Sequence, residues 1–392
     1  MTYNSKRNSS GAPVNGLCAA AFILFTFFYL FFFQADMLAM MQHVLSGGAT
    51  SYNRTVGAIL ITLLLFMVQF GVRRLAGLNG VFTALTYFPS LVLLTLLTGV
   101  GNDFDVDRSF GPWLWLTVPL ILLFAWVVYV LRKNGLTGSG HYFRNTFPGV
   151  LWINIVTLAL QFLMVCGGGN TDEVFHYRIR MENLLANGEY DKALEVGEKS
   201  LSTDESLTML RVFALSRTKQ LGDRLFEYPV VGGSKALLPD GKTVKCTLLP
   251  ADNILRNLGI RRKGNMDAMT YLLYLESNGL AMKSVTDYIL CGYLLDCDLD
   301  NFVREVMKKY NITSPTLPKY YRQALTLYTH LRANPAVVYH SEVLDADYAD
   351  FQALEKQYKN QAERASYVRD TYGDTYWYYY FYNANKPHEG AE

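Results

Sequence analysis

Charge is nearly absent from the first part of this chain. Residues 1–170 carry nine Lys and Arg and four Asp and Glu, and residues 171–392 hold the other 27 and 30. The formal net charge of +2 therefore hides +5 (9 − 4) in one part against −3 (27 − 30) in the other. The excess positive charge flanks apolar runs, and the slightly acidic part offers no basic patch of the kind nucleic acid needs, so no nucleic-acid partner is expected. Cysteine is also scarce: there are five, with no CxxC pair and no Cys/His cluster at metal-ligand spacing. That argues against a zinc site or a dithiol centre. Cys18 and Cys166 lie at or inside apolar runs. Cys291 and Cys297, six apart on one expected helix, point to different faces, and buried apolar thiols are the simple reading. No GxSxG, HExxH, P-loop or dinucleotide fingerprint is present. His176, His330 and His340 are scattered without a matched nucleophile. Gly167-Gly168-Gly169 follows no strand and reads as a hinge, not a phosphate loop. No catalytic residue, metal or cofactor is expected.

What is present is a series of apolar runs. They cover 17–33 and about 55–72, 81–100, 112–131 and 148–166, each near the roughly 20 residues needed to cross a bilayer. The first is long and very aromatic, with no small-residue cleavage site after it, so it reads as a retained span and not a signal peptide. The pattern predicts an all-α fold: a transmembrane block at 17–166 with about five spans, in contact with membrane lipid. Pro89 and Pro119 fall inside spans three and four and are expected to kink them. Residues 1–16 are polar and read as a cytoplasmic tail. Lys6, Arg7, Arg73, Arg74, Arg132, Lys133 and Arg144 fall on one side of the block, and only Arg54 and Arg108 on the other. The excess of basic residues in cytoplasmic loops then places residue 171 onward outside the cytoplasm. In a two-membrane bacterium, that means an inner-membrane protein with a periplasmic domain. No span carries a run of ionisable residues, which disfavours an ion-coupled transporter.

Two loops on the outer side carry polar groups. In QADMLAMMQHVLSGG, Asp36 and His43 stand seven apart on one helical face. They read either as a shallow polar site or as the polar side of an interfacial segment. In GNDFDVDRSFGP, Asp103, Asp105 and Asp107 resemble the start of a calcium loop. The sixth position is Arg108 instead of Gly and the twelfth is Leu114 instead of Glu, so a solvated acidic loop is the better reading. Asp103 and Asp107 stay with Asp36 and His43 as candidate ligand-binding residues.

From Thr171 the chain turns amphipathic. YRIRMENLLANGEYDKALEVGEKSL has the form of a tetratricopeptide-like helix pair turning at Asn187-Gly188. Residues 229–250 break the series with three prolines and two Gly turns. Helices are expected again near 251–259, 266–278, 281–296, 299–310, 317–333 and 345–371. Together, 171–371 read as an extracytoplasmic α-solenoid, an architecture that binds proteins or peptides. Residues 372–392 form an aromatic tail, with seven aromatics in a row from Tyr376 to Tyr382. Tyr376, Trp377 and Tyr378 suit packing on the solenoid, contact with the membrane interface, or a ligand platform.

Three stretches, QHVLSGG, LGDRLFEY and TYWYYYFY, resemble motifs of an uncharacterised Bacteroidetes family of multi-pass membrane proteins, a domain of unknown function. The resemblance implies a membrane block followed by a helical repeat region, and it implies no activity. The expected role is a scaffold whose periplasmic repeat domain binds a protein partner through 171–371 in an envelope assembly. The alternative is a membrane enzyme or carrier acting on a lipid-linked or glycan substrate at the outer face.

Overall fold

The computed structural model describes residues 11–102, 104–134, 147–260 and 266–383. Among these, every regular element is helical. The chain divides into two compact units, Met1–Asp172 and Glu173–Glu392.

Five helices of the first unit are long and apolar enough to cross a membrane: Ala12–Phe33, Arg54–Ala76, Gly80–Thr98, Pro112–Lys133 and Phe147–Gly168. They are spans one to five below. The first helix already runs from Gly11, so the end of the expected 1–16 tail belongs to it. Span three is the hub and packs against spans two, four and five, while span one packs against two and five. Span four is peripheral: Trp115, Val118, Leu122, Trp126 and Tyr129, at helical spacing, are all more than half exposed.

Span three does not begin as an α-helix. Gly80–Phe82 and Ala84–Tyr87 are 3-10 turns, and the regular helix runs Phe88–Thr98 with Pro89 in its first turn. Pro89 thus opens a helix instead of kinking one, and there its missing N–H leaves no bond unmade. Pro119, by contrast, sits inside a continuous helix. Irregular backbone at membrane depth must find its partners inside the protein. Asn154 of span five supplies two: Oδ1 accepts from the Ala84 N–H at 2.7 Å and Nδ2 donates to the Gly80 carbonyl at 2.8 Å. Gln161 donates to the Ala84 carbonyl at 3.2 Å, and Gln69 of span two to Thr86 Oγ1 at 3.0 Å. All three amide side chains are buried. At the same end, Arg132 closes span two by donating from Nε to the Ala76 carbonyl at 2.9 Å and from Nη2 to that of Leu75.

In the second unit, helices Glu173–Ala186 and Tyr190–Glu195 turn at Gly188, whose φ is +77°. The second helix is shorter than its sequence suggests. Gly197 takes a φ of +63°, and a Cβ there would stand 2.7 Å from the Tyr177 ring, so the chain leaves the helix early. Helix Glu205–Arg217 starts at Asp204, whose Oδ1 accepts from the Leu207 N–H at 2.6 Å. Residues 229–250 are irregular apart from one 3-10 turn, Gly233–Leu237. Helices Ala251–Arg256, Ala268–Ser277, Val285–Leu295, Leu299–Lys309 and Lys319–Leu331 then follow. The single helix expected at 345–371 is two, Glu342–Gln357 and Gln361–Tyr372. Asn360 makes the break by accepting from the Ala362 N–H at 3.0 Å, an N-cap that restarts the helix without Gly or Pro.

Two buried charges hold the irregular stretch. Glu182 is fully buried, and its Oε2 accepts from the Thr247, Leu248 and Leu249 N–H groups at 2.7, 2.5 and 3.0 Å. Arg211, also fully buried, donates to the Pro229 carbonyl at 3.0 Å and lies over the Tyr228 ring. Burial pulls its guanidinium down to about 10.

Two predictions follow from these contacts. Asn154→Leu leaves the Ala84 N–H unpaired, at about 1–3 kcal/mol, and takes from the Gly80 carbonyl one of its donors, the Thr83 N–H and hydroxyl remaining. Thermal unfolding in detergent should show a lower midpoint for Asn154→Leu and an unchanged one for Ile155→Val, since Ile155 is 41% exposed on the same span. Burial raises the Glu182 carboxyl above the ordinary range, against the opposing pull of the Leu249 and Leu248 N–H groups. The folded state then binds the proton more tightly than the unfolded one. Glu182 favours the fold below the ordinary carboxylate range, and that contribution is lost as pH rises through the raised value. Glu182→Gln keeps an acceptor for the three N–H groups. It should fold and show a flatter stability profile above pH 5 than the parent, whereas Glu182→Leu should be destabilised at every pH.

Candidate functional site

One end of the first unit is a hydrogen-bonded junction of four spans. Span one ends in a π-turn, Tyr29–Phe33, and such turns free backbone groups that need other partners. Arg54, at the start of span two, donates from Nε to the Phe31 carbonyl and lies 4.5 Å from the Phe31 ring centroid. Tyr29 OH donates to the Val165 carbonyl of span five at 3.4 Å and stands 3.5 Å from Thr98 Oγ1 of span three. Gln34 Nε2 donates to Tyr29 OH at 3.1 Å and to the Asn170 carbonyl at 3.2 Å. Asn170 Nδ2 reaches the Val100 carbonyl at 2.9 Å and Asn102 Oδ1 at 3.0 Å, and Asn102 Nδ2 reaches Asp172 at 2.5 Å.

The glycine run is part of this junction. A Cβ on Gly169 would stand 2.1 Å from Tyr29 OH, and one on Gly168 2.4 Å from the Trp113 ring. Neither residue has a positive φ. The run therefore permits close packing, where its sequence suggested a hinge.

Two of the elements that carry the candidate residues pack against each other. Asp36 and His43 lie on helix Ala35–Ser46, which packs against the single turn Phe104–Asp107. Asp36 is half-buried in the first turn, and the His43 ring lies beneath Gly48. The apolar side of this helix, Met37, Leu38, Met40 and Met41, is buried in the protein. Asp107 closes the facing turn, and Asp103 lies outside the described residues. The neutral amides and hydroxyls of the junction can orient a polar ligand but cannot move protons at neutral pH.

Tyr376, Trp377 and Tyr378 lie in the core of the second unit and are 0%, 1% and 6% exposed. Trp377 Nε1 donates to the Gln323 carbonyl at 2.9 Å, and Gln323 Oε1 accepts from the Tyr376 N–H at 2.9 Å. Tyr376 OH and Tyr379 OH donate to the Leu294 and Leu295 carbonyls at 3.2 and 2.7 Å. Their rings are used in packing, and burial raises the Tyr376 hydroxyl well above its ordinary value.

Sequence reasoning missed two groupings here. Asp287 Oδ1 accepts from Tyr310 OH at 2.6 Å and Tyr321 OH at 2.8 Å, and the Cys291 thiol lies 3.7 Å from Tyr321 OH. Burial, the first cause, and the Asp287 carboxylate both raise the two phenols, so they serve as fixed donors and not as acids. The other grouping is an open depression of about 460 Å3 on the last helix pair, lined by Gln352, Glu355, Lys356, Tyr358, Lys359 and Arg364. Tyr358 stacks on Tyr367 beside it, with ring centroids 4.3 Å apart. No motif announces either, because each joins residues from separate helices. Among the described residues, no three His, Cys, Asp or Glu side chains are grouped to hold a metal ion.

Five helices long and apolar enough to cross a membrane, together with a helical second unit, are consistent with the class of helical membrane proteins. A family model matches residues 104–278 and 260–383. The chain belongs to that family, DUF6057, a family of unknown function. No curated protein and no solved structure matches it.

The Tyr29–Gly169 contact yields a coupled prediction. Gly169→Ala should destabilise the first unit, because its methyl meets a hydroxyl held in place by Gln34 and Val165. Tyr29→Phe removes that hydroxyl and should recover part of the loss. A double-mutant cycle on thermal midpoints in detergent should give a coupling of about 0.5–3 kcal/mol.

Proposed function

We propose that this protein is a membrane-anchored scaffold. Its second unit acts as a tetratricopeptide-like helical surface that binds another protein of an envelope assembly, on the periplasmic side of a bacterial inner membrane. The outer helix pair carries this reading. Glu342–Gln357 and Gln361–Tyr372 bury only Tyr348, Phe351 and Val368. Much of the rest of their surface is open, with Val343 70% and Tyr367 50% exposed, and Tyr367 stacks on Tyr358 of the depression. A broad, open surface with aromatic and basic groups suits a macromolecular partner, whereas small molecules are usually enclosed on most sides. One observation favours a second reading. Helix Ala35–Ser46, which carries Asp36 and His43, packs against turn Phe104–Asp107, and a site for a lipid-linked or glycan substrate would draw on these two elements.

Native mass spectrometry of the protein extracted from its own membrane separates the two. The scaffold reading expects a stoichiometric protein companion that is lost in the Lys356→Glu, Lys359→Glu, Tyr367→Ala triple variant and kept in Asp36→Ala, His43→Ala. A bound lipid or glycan of defined mass, lost in the second variant and kept in the first, would move the assignment to the membrane site.

A further inference from the structure

The second unit carries a small apolar and basic patch distant in sequence from the last helix pair. The Met282 N–H donates to the Leu258 carbonyl at 2.9 Å, and a Cβ on Gly259 would lie 2.5 Å from the Leu280 carbonyl. The loop after helix Ala251–Arg256 and the loop before helix Val285–Leu295 are thereby held side by side. Their tips present Ile260, Leu280 and Met282 at 37%, 41% and 56% exposure. Arg256 and Lys283 beside them are exposed as well. The nearest acidic group on the neighbouring helix, Glu276, is taken up by Lys309 at 2.5 Å.

We infer that this patch rests on the headgroups of anionic lipid in the bilayer that anchors the chain. Apolar tips flanked by Arg256 and Lys283 have the composition of a surface-binding element. They bury a few side chains at the headgroup boundary, and the basic groups are drawn to an anionic surface. Alone, three side chains would bind weakly. Here the segment from Gly168 to Glu173 can span at most about 18 Å, so the second unit is tethered beside the bilayer. Tethering makes the contact intramolecular, and a weak patch then suffices. A lipid contact on one side of the second unit limits its tumbling and keeps the last helix pair presented to partners.

The test uses the whole chain in nanodiscs, of phosphatidylcholine alone or with phosphatidylglycerol, and in detergent. Modification of Lys283 by an amine-reactive ester is followed by mass spectrometry, with Lys192, whose side chain is 70% exposed, as the reference. The inference expects Lys283 modification at least threefold slower in anionic discs than in neutral discs, with Lys192 unchanged. Met282→Asp and, separately, Leu280→Asp should restore the faster rate. Both positions are exposed, so neither change disturbs the core. Equal Lys283 rates in the two disc types, whether fast or slow, overturn the inference. Slowing that survives both substitutions overturns it too.

Discussion

Backbone polar groups that leave a regular helix inside an apolar setting must be paired by the protein, and much of the first unit follows from that constraint. Span three starts with two 3-10 turns in place of a regular helix. From span five, Asn154 pairs the Ala84 N–H, and Asn154 and Gln161 add donors to the Gly80 and Ala84 carbonyls, which fixes the rotation of span five about its axis. Span one ends in a π-turn, and Arg54 takes the carbonyl this frees. Neutral amides suit the role because they carry donor and acceptor together and cost far less to bury than a charge. Span four makes no comparable bonds to an irregular segment, and it is the most exposed of the five.

The second unit solves a similar problem with charge. Residues 229–250 have few backbone partners of their own, and a carboxylate and a guanidinium from neighbouring helices supply them. Glu182 gathers three consecutive N–H groups, and Arg211 holds the Pro229 carbonyl. Burial opposes both ionised forms. Removing Glu182 would orphan three backbone N–H groups at once, and removing Arg211 would orphan the Pro229 carbonyl. The aromatic tail completes the core by similar means: Tyr376 and Tyr379 carry their hydroxyls to the Leu294 and Leu295 carbonyls at a helix end, and Trp377 carries its Nε1 to the Gln323 carbonyl.

The five spans were legible because hydropathy alone specifies them, and the helical character of the second unit was legible from its period. The start of span three was not. Gly80 to Tyr87 is as apolar as a regular span, and the break shows only through Asn154, some seventy positions away. The helix expected at 345–371 hid its interruption likewise, since Tyr358, Lys359 and Asn360 include neither Gly nor Pro and Asn360 acts through its cap geometry. At the candidate sites, Asp36 and His43 could be placed on one face from spacing. Their meeting with the turn at Phe104–Asp107 could not, nor could the junction built from Tyr29, Gln34 and Asn170, because these depend on tertiary packing.

The contacts of the arginines also bear on orientation. Seven basic residues against two support the proposed cytoplasmic N-terminus, but an arginine with a structural duty is weaker evidence of topology than one without. Arg132 caps span two, and Arg54 serves the π-turn of span one. Setting both aside leaves six (7 − 1) against one (2 − 1), so the bias does not rest on residues the fold itself requires. The thiols, by contrast, say little about compartment. Cys246, Cys291 and Cys297 are unpaired, and burial raises all three above the ordinary thiol value. Thiols held protonated in a core react slowly with oxidants, so free cysteines are as compatible with an oxidising space as with a reducing one.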